Sequence, residues 1–131
     1  MQKNKNKGGE MAEIQTVLIA DDSDTQLTHL KNILETAGYK TITATSGNKA
    51  VELCETNKPD LIMLDIVMTD GDGYKACRTI KKNPELSNTP IIMVSSKSNP
   101  VDKQWARQLG ATDYIVKPYE DTEVLDKLVA L

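Results

Sequence analysis

Val17-Leu18-Ile19-Ala20-Asp21-Asp22 is the stretch on which the fold turns. Four consecutive apolar residues, too few for a helix and without polar alternation, read as a strand covered on both faces. An acidic pair closes the run. The pattern returns downstream. Leu61-Ile62-Met63-Leu64 ends in Asp65, Ile91-Ile92-Met93-Val94 in Ser95, and Tyr114-Ile115-Val116 in Lys117-Pro118. If the runs are neighbouring parallel strands, three carboxylates, a hydroxyl and an ammonium crowd at one end of a sheet. Such a crevice suits a divalent cation and a phosphoryl group.

A fifth run, residues 41–45, is half polar and reads as an edge strand. Helical segments fill the gaps. Leu27, Leu30, Ile33, Leu34 and Ala37 share one face of the first, with Ser23 and Gln26 as a capping box and Gly38 as the stop. Ala50, Val51, Leu53 and Cys54 mark the second, opened by Ser46 and ended before Pro59. Tyr74, Cys77, Arg78 and Ile80 mark the third. Asn99-Pro100 caps and opens the fourth, which ends at Gly110. Val124, Leu125, Leu128 and Val129 mark the fifth. Five such βα units predict an α/β fold, a doubly wound five-stranded parallel sheet of flavodoxin-like order 2-1-3-4-5 with helices on both faces. That order buries the apolar runs and leaves the half-polar one at an edge. Ligands of such sheets sit outside the carboxyl ends of the strands, where Asp21, Asp22 and Asp65 fall.

The chain has 131 residues, enough for one domain with one core. Residues 1–13 are polar and rich in lysine and glycine, and read as a disordered extension ahead of a domain at 14–131. They carry lysines but no apolar stretch behind them, so they are not a secretory signal. A net charge of -3 gives no general attraction to nucleic acid. No apolar stretch approaches the roughly 20 residues that span a bilayer, so no membrane partner is expected. Cys54 and Cys77 show no metal-binding spacing and read as half-buried free thiols in a reducing cytoplasm.

Three carboxylates held together repel one another unless a proton or a cation intervenes. Magnesium suits hard oxygen ligands and keeps several waters. Asp22 and Asp65 are the expected direct ligands, with Asp21 acting through water and the carbonyl of Val67 adding an oxygen. A metal there would also admit phosphoryl oxygens, and Asp65, at the tip of the central strand, would attack phosphorus to form an acyl phosphate. Lys117 would balance charge as a point cation and Ser95 would donate its hydroxyl. Taken singly, each element has a plainer reading. Asp-Asp before a helix serves as a cap, and Asp70-Gly71-Asp72-Gly73 is turn chemistry. Capping does not account for four polar residues each at the end of its own strand.

On these residues the chain resembles the receiver domain of bacterial two-component response regulators, over residues 16–131. The matching motifs are Asp21-Asp22, Leu64-Asp65-Ile66-Val67-Met68 leading to Gly73, Ser95-Ser96, and Asp113-Tyr114 leading to Lys117-Pro118. The resemblance implies that Asp65 accepts a phosphoryl group from a histidine kinase or a histidine phosphotransfer domain, with Mg²⁺ at Asp21, Asp22 and Asp65. It implies a switch in which Ser95 turns toward the phosphoryl group and Tyr114 moves inward, and a cis bond before Pro118. The readout would be the fourth helix, fifth strand and fifth helix, meeting a downstream protein target. Thr69 stands where the family usually has proline, and Lys97 stands where the family tunes dephosphorylation. No output domain follows the fifth helix, so the chain is expected to be a stand-alone regulator of the chemotaxis type. Lys103-Gln104-Trp105-Ala106-Arg107-Gln108-Leu109-Gly110 further resembles regulators of type IV pilus, or twitching-motility, chemosensory systems.

Other readings stand beside this one. The same pocket would serve a phosphate sink that drains a shared kinase. A Mg²⁺-dependent phosphohydrolase would want a second Asp two residues after the nucleophile, where this chain has Val67. An FMN carrier would want a Ser/Thr/Gly-rich loop after the first strand, where this chain is acidic. The domain catalyses its own modification in the first reading without being an enzyme. Trp105, the one tryptophan, either packs beside Val101 and Leu109 or is an exposed anchor on the output surface. His29 is expected on the solvated side of its helix, and Lys81-Lys82 as solvation of the third helix end.

Overall fold

The computed structural model describes residues 13–131. Of the disorder expected for residues 1–13, all but Glu13 lies outside that range. Strands and helices alternate: β1 (Thr16–Ala20), α1 (Asp24–Thr36), β2 (Lys40–Ala44), α2 (Gly47–Asn57), β3 (Leu61–Leu64), α3 (Gly73–Lys82), β4 (Ile91–Ser95), α4 (Pro100–Gln108), β5 (Asp113–Val116) and α5 (Asp121–Val129). All pairings are parallel and the order is β2-β1-β3-β4-β5. This is the expected flavodoxin-like sheet, with half-polar β2 at one edge.

Strand periodicity splits the apolar runs between two cores. Leu18, Ile62, Leu64, Ile91 and Met93 face one side and pack on α2, α3 and α4 through Ala50, Cys54, Ala76, Cys77, Ile80 and Ala106. Val17, Ile19, Leu61, Met63, Ile92, Val94 and Ile115 face the other and pack on α1 and α5. Each buried aliphatic side chain contributes about 1.5–3 kcal/mol. With both faces covered, a polar residue fits within these runs only at a strand end.

Helix starts follow their caps. Ser23, Ser46 and Asp72 each accept the N–H of the third residue on, at Gln26, Lys49 and Lys75. Asn99 differs from expectation, since its side chain makes no capping bond and Pro100 alone opens α4. Helix ends also differ. Ala37 and Val129 are exposed, because the apolar periodicity runs past the last residues that touch the sheet. Arg78, expected on the apolar face of the third helix, is exposed, and Ala76 stands in the core instead. Cys54 and Cys77 are fully buried rather than half-buried, and burial pushes their thiols up to about 12 and about 11. Lys81 does more than solvate a helix end. Its ammonium donates to the carbonyls of Ser87 and Thr89 at 3.1 and 2.7 Å, and burial holds it below the usual lysine range.

Candidate functional site

The sheet ladder runs one residue beyond its strands. Asp21 N–H donates to the carbonyl of Ala44 (3.1 Å), Asp65 N–H to Ala20 (3.0 Å) and Lys117 N–H to Ser95 (2.9 Å). Each of these residues therefore begins its loop with its backbone still fixed by the neighbouring strand. Their side chains converge on one crevice. Carboxylate oxygens of Asp21, Asp22 and Asp65 lie within 4.8 Å of one another. Lys117 Nζ donates to Asp21 Oδ2 at 2.7 Å and to Asp65 Oδ2 at 3.1 Å. Asp21 and Asp65 are each 8 % exposed, whereas Asp22 is open to solvent.

Backbone donors orient the same acids. Asp21 Oδ1 accepts from Ser23 N–H (2.9 Å), Asp65 Oδ1 from Val67 N–H (3.4 Å) and Asp22 Oδ2 from Thr69 N–H (3.2 Å). Three carboxyl groups face one lysine amine in a partly buried crevice, so the acids outnumber the basic partner. Removal of charge from water is costly unless it is neutralised, and a small divalent cation with oxygen ligands does so directly. The donor set present thus fits Mg²⁺. Gly73 packs against the backbone of Asp65 and Ile66. Its N–H bonds the carbonyl of Ile66 at 2.8 Å, and a Cβ there would collide with the carbonyl oxygen of Asp65.

Ser95 and Tyr114 meet at Lys97. Ser95 Oγ is wholly buried and accepts from Lys97 N–H at 3.3 Å, while Tyr114 Oη donates to the carbonyl of Lys97 at 2.7 Å. Tyr114 is half-buried, and burial followed by the charge of Asp102 raises its phenol. Ser96 rather than Ser95 lines the open cleft of about 590 Å³ over the acids. The Lys117–Pro118 bond is cis. Trp105 does not line the cleft. It stands 43 % exposed on α4 and meets the edge of Tyr74, ring centres 6.5 Å apart. Val101, expected beside it, is exposed as well.

Several contacts escaped the sequence reading. The His29 ring stacks on Tyr119 at 5.7 Å on the cleft wall, and burial pushes the Tyr119 phenol up to about 12, with the charges of Asp21 and Asp121 adding to it. The three-residue spacing Ser23, Gln26, His29 carried that signal, since it puts all three on one side of α1. Tyr74 Oη donates to Asp102 Oδ1 at 2.8 Å, and Asn48 Nδ2 to Asp70 Oδ1 at 2.9 Å. No local pattern announces either pair.

Comparison with known proteins gives the same picture. Protein PilH of Pseudomonas aeruginosa is 36% identical over 115 residues, spanning 88% of this chain and 95% of that protein. The signal receiver domain of a signal transduction histidine kinase from Syntrophus aciditrophicus superposes with a TM-score of 0.81 at 38% identity, covering 88% of each chain. A chain of the CheX-CheY-BeF3-Mg complex from Borrelia burgdorferi superposes with a TM-score of 0.85 at 29% identity, covering 91% of this chain and 90% of that one. A family model described as the response regulator receiver domain matches residues 17–129, from the second residue of β1 to the last of α5. The chain belongs to the response regulator receiver domain family of two-component signalling proteins.

Proposed function

We propose that this receiver is a phosphorylation-controlled binding module that takes a phosphoryl group onto Asp65 from a histidine kinase or a histidine phosphotransfer domain. The observation that carries the reading is the meeting of Asp21, Asp22 and Asp65 within 4.8 Å, with Lys117 bonded to two of them. These carboxylates and the carbonyl of Val67 would hold Mg²⁺. Bound Mg²⁺ would offset the negative charge that otherwise repels a phosphoryl group. A carboxylate oxygen of Asp65 attacks phosphorus. The new P–O bond forms as the P–N bond to the donor histidine breaks, and the histidine nitrogen keeps the electron pair. Lys117, already against Asp65 Oδ2, turns to the phosphoryl oxygens.

Ser95 gives up the Lys97 N–H and donates to the new phosphoryl group. Because Tyr114 bonds the other side of Lys97, that turn is felt at Tyr114, which moves inward. Contacts made in the phosphorylated form alone shift the equilibrium of the face built by α4, β5 and α5. Trp105 on that face serves as an anchor for a downstream protein. The Borrelia burgdorferi relative in complex with CheX, BeF3 and Mg supports both a metal and a protein partner for a domain of this shape. Val67, at the second position after Asp65 and exposed, offers no acid to a leaving group, which favours a binding module over a phosphohydrolase. The segment 103–110 and the identity to Protein PilH support a place in pilus or chemotaxis signalling. Two buried free thiols fit a reducing cytoplasm.

The test is intact-mass measurement after incubation with Mg²⁺ and acetyl phosphate. Wild type is expected to gain one phosphoryl group, which chelation of Mg²⁺ or Asp65→Ala abolishes. No adduct on wild type, or an undiminished adduct on Asp65→Ala, overturns the reading.

A further inference from the structure

We infer that Asn48 is a positioning residue of the acidic site, acting through a clamp on the turn at Asp70 that keeps Thr69 against Asp22. The inference rests on the reading of Asp21, Asp22 and Asp65 as a Mg²⁺ site. Asp22 is the least constrained of the three acids. It is exposed and takes no bond from Lys117. Among the described residues, the hydrogen bond its carboxylate accepts comes from Thr69 N–H at 3.2 Å. A main-chain donor orients an acid only as well as its own loop is held.

That loop, residues 65–73, contains an unfavourable turn. Asp70 has φ +53° and Gly71 has φ +94°. A left-handed conformation at a residue with a side chain persists only where its surroundings hold it. The surroundings here are the start of α2. Gly47 N–H donates to the carbonyl of Gly71 (2.9 Å) and Asn48 N–H to that of Asp70 (3.0 Å). Both are first-turn helix donors that have no partner within the helix. The Asn48 side chain adds a third bond, Nδ2 to Asp70 Oδ1 at 2.9 Å. The fit is close. A Cβ on Gly47 would collide with the carbonyl oxygen of Gly71, and one on Gly71 would come within 2.6 Å of Asn48 Oδ1. The chain of contact therefore runs from α2 through Asp70 to Thr69 and on to Asp22. Loosening its first link frees Asp22 to turn into solvent, and partners that orient metal ligands govern metal affinity.

The test is the Mg²⁺ dissociation constant by isothermal titration calorimetry, with amide exchange of residues 67–71 in metal-free protein alongside. Asn48→Ala keeps the main-chain bond and loses the side-chain bond. It is expected to raise the dissociation constant by about tenfold and to speed exchange in the loop before any metal is added. Asp70→Gly removes the same bond from the other side, at a position glycine adopts freely, and is expected to act alike. Asp70→Asn keeps an acceptor oxygen while deleting the charge, and is expected to stay near wild type. Equal weakening by Asp70→Gly and Asp70→Asn would assign the effect to charge and overturn the clamp, as would an unchanged dissociation constant in both Asn48→Ala and Asp70→Gly. Wild type that binds no Mg²⁺ would instead overturn the metal site on which the inference rests.

Discussion

α1 and α4 are held by different forces. α1 places Leu27, Leu30, Ile33 and Leu34 in the core and starts from a capped Ser23. α4 buries Ala106 alone, has no side-chain cap, and turns Val101 and Trp105 outward. Hydrogen bonds hold α4 at its margins instead. Tyr114 ties the approaching loop at Lys97, Tyr74 ties the first turn at Asp102, and Cys77 Sγ lies 3.5 Å from the carbonyl of Leu109 at the far end. Apolar burial sets most of an element's resistance to local opening, and polar ties exchange readily with water. The helix that follows Asp21-Asp22 is thus anchored by four core side chains and the helix beyond Ser95 by Ala106, which makes the second the easier to displace. That division is what the proposed switch requires, a rigid acidic site beside a surface that is easier to move.

The largest expected effect comes from attacking the stronger side. Leu34→Ala should cost about 2–5 kcal/mol in urea unfolding, whereas Trp105→Ala should cost no more than about 1 kcal/mol. Similar costs would erase the distinction between the two helices. A smaller effect probes the ties. Cys77, on α3, lies against the end of α4 at the Leu109 carbonyl, whereas Cys54 faces the core from α2, so an opening of α4 exposes Cys77 first. At pH 8 a thiol reagent should label Cys77 roughly tenfold faster than Cys54, the ratio given by about 1.4 kcal/mol of difference in opening. Tyr74→Phe should widen that ratio. Equal labelling rates, followed by mass spectrometry of peptides, would mean that α4 opens only with the whole fold. The smallest effect is on pH dependence. Both thiols ionise at higher pH in the folded protein than in the unfolded chain, so folding favours their neutral forms. That share of stability is complete below about pH 9 and is lost as pH rises through about 11 for Cys77 and about 12 for Cys54. Urea midpoints across this range should fall in wild type and less in Cys77→Ala, each compared with its own midpoint at pH 8.

The strands were legible because both faces of β1, β3 and β4 are covered. Their sequences admit no polar residue until the run ends, and the residue that ends it belongs to the site. The half-polar character of β2 gave its edge position for the same reason. Helix ends were less legible. Apolar spacing continued to Ala37 and Val129, although the sheet beneath had already finished. Least legible were the polar ties. Asn48 and Asp70 are 22 residues apart, Tyr74 and Asp102 are 28, and each pair meets only because the sheet brings separate loops together. The role of Lys81 is illegible for the same reason, since the carbonyls it reaches belong to a turn whose shape no periodicity encodes.

Asp21, Asp65 and Lys117 inherit their positions from main-chain pairing one step past the strands. Such pairing is indifferent to which side chains follow. Their backbones therefore keep register with the sheet whatever connection follows, while the aim of the acid side chains still depends on loop donors at Ser23, Val67 and Thr69. Where the three groups stand along the sheet is thus a property of the strands, and where they aim is a property of the loops.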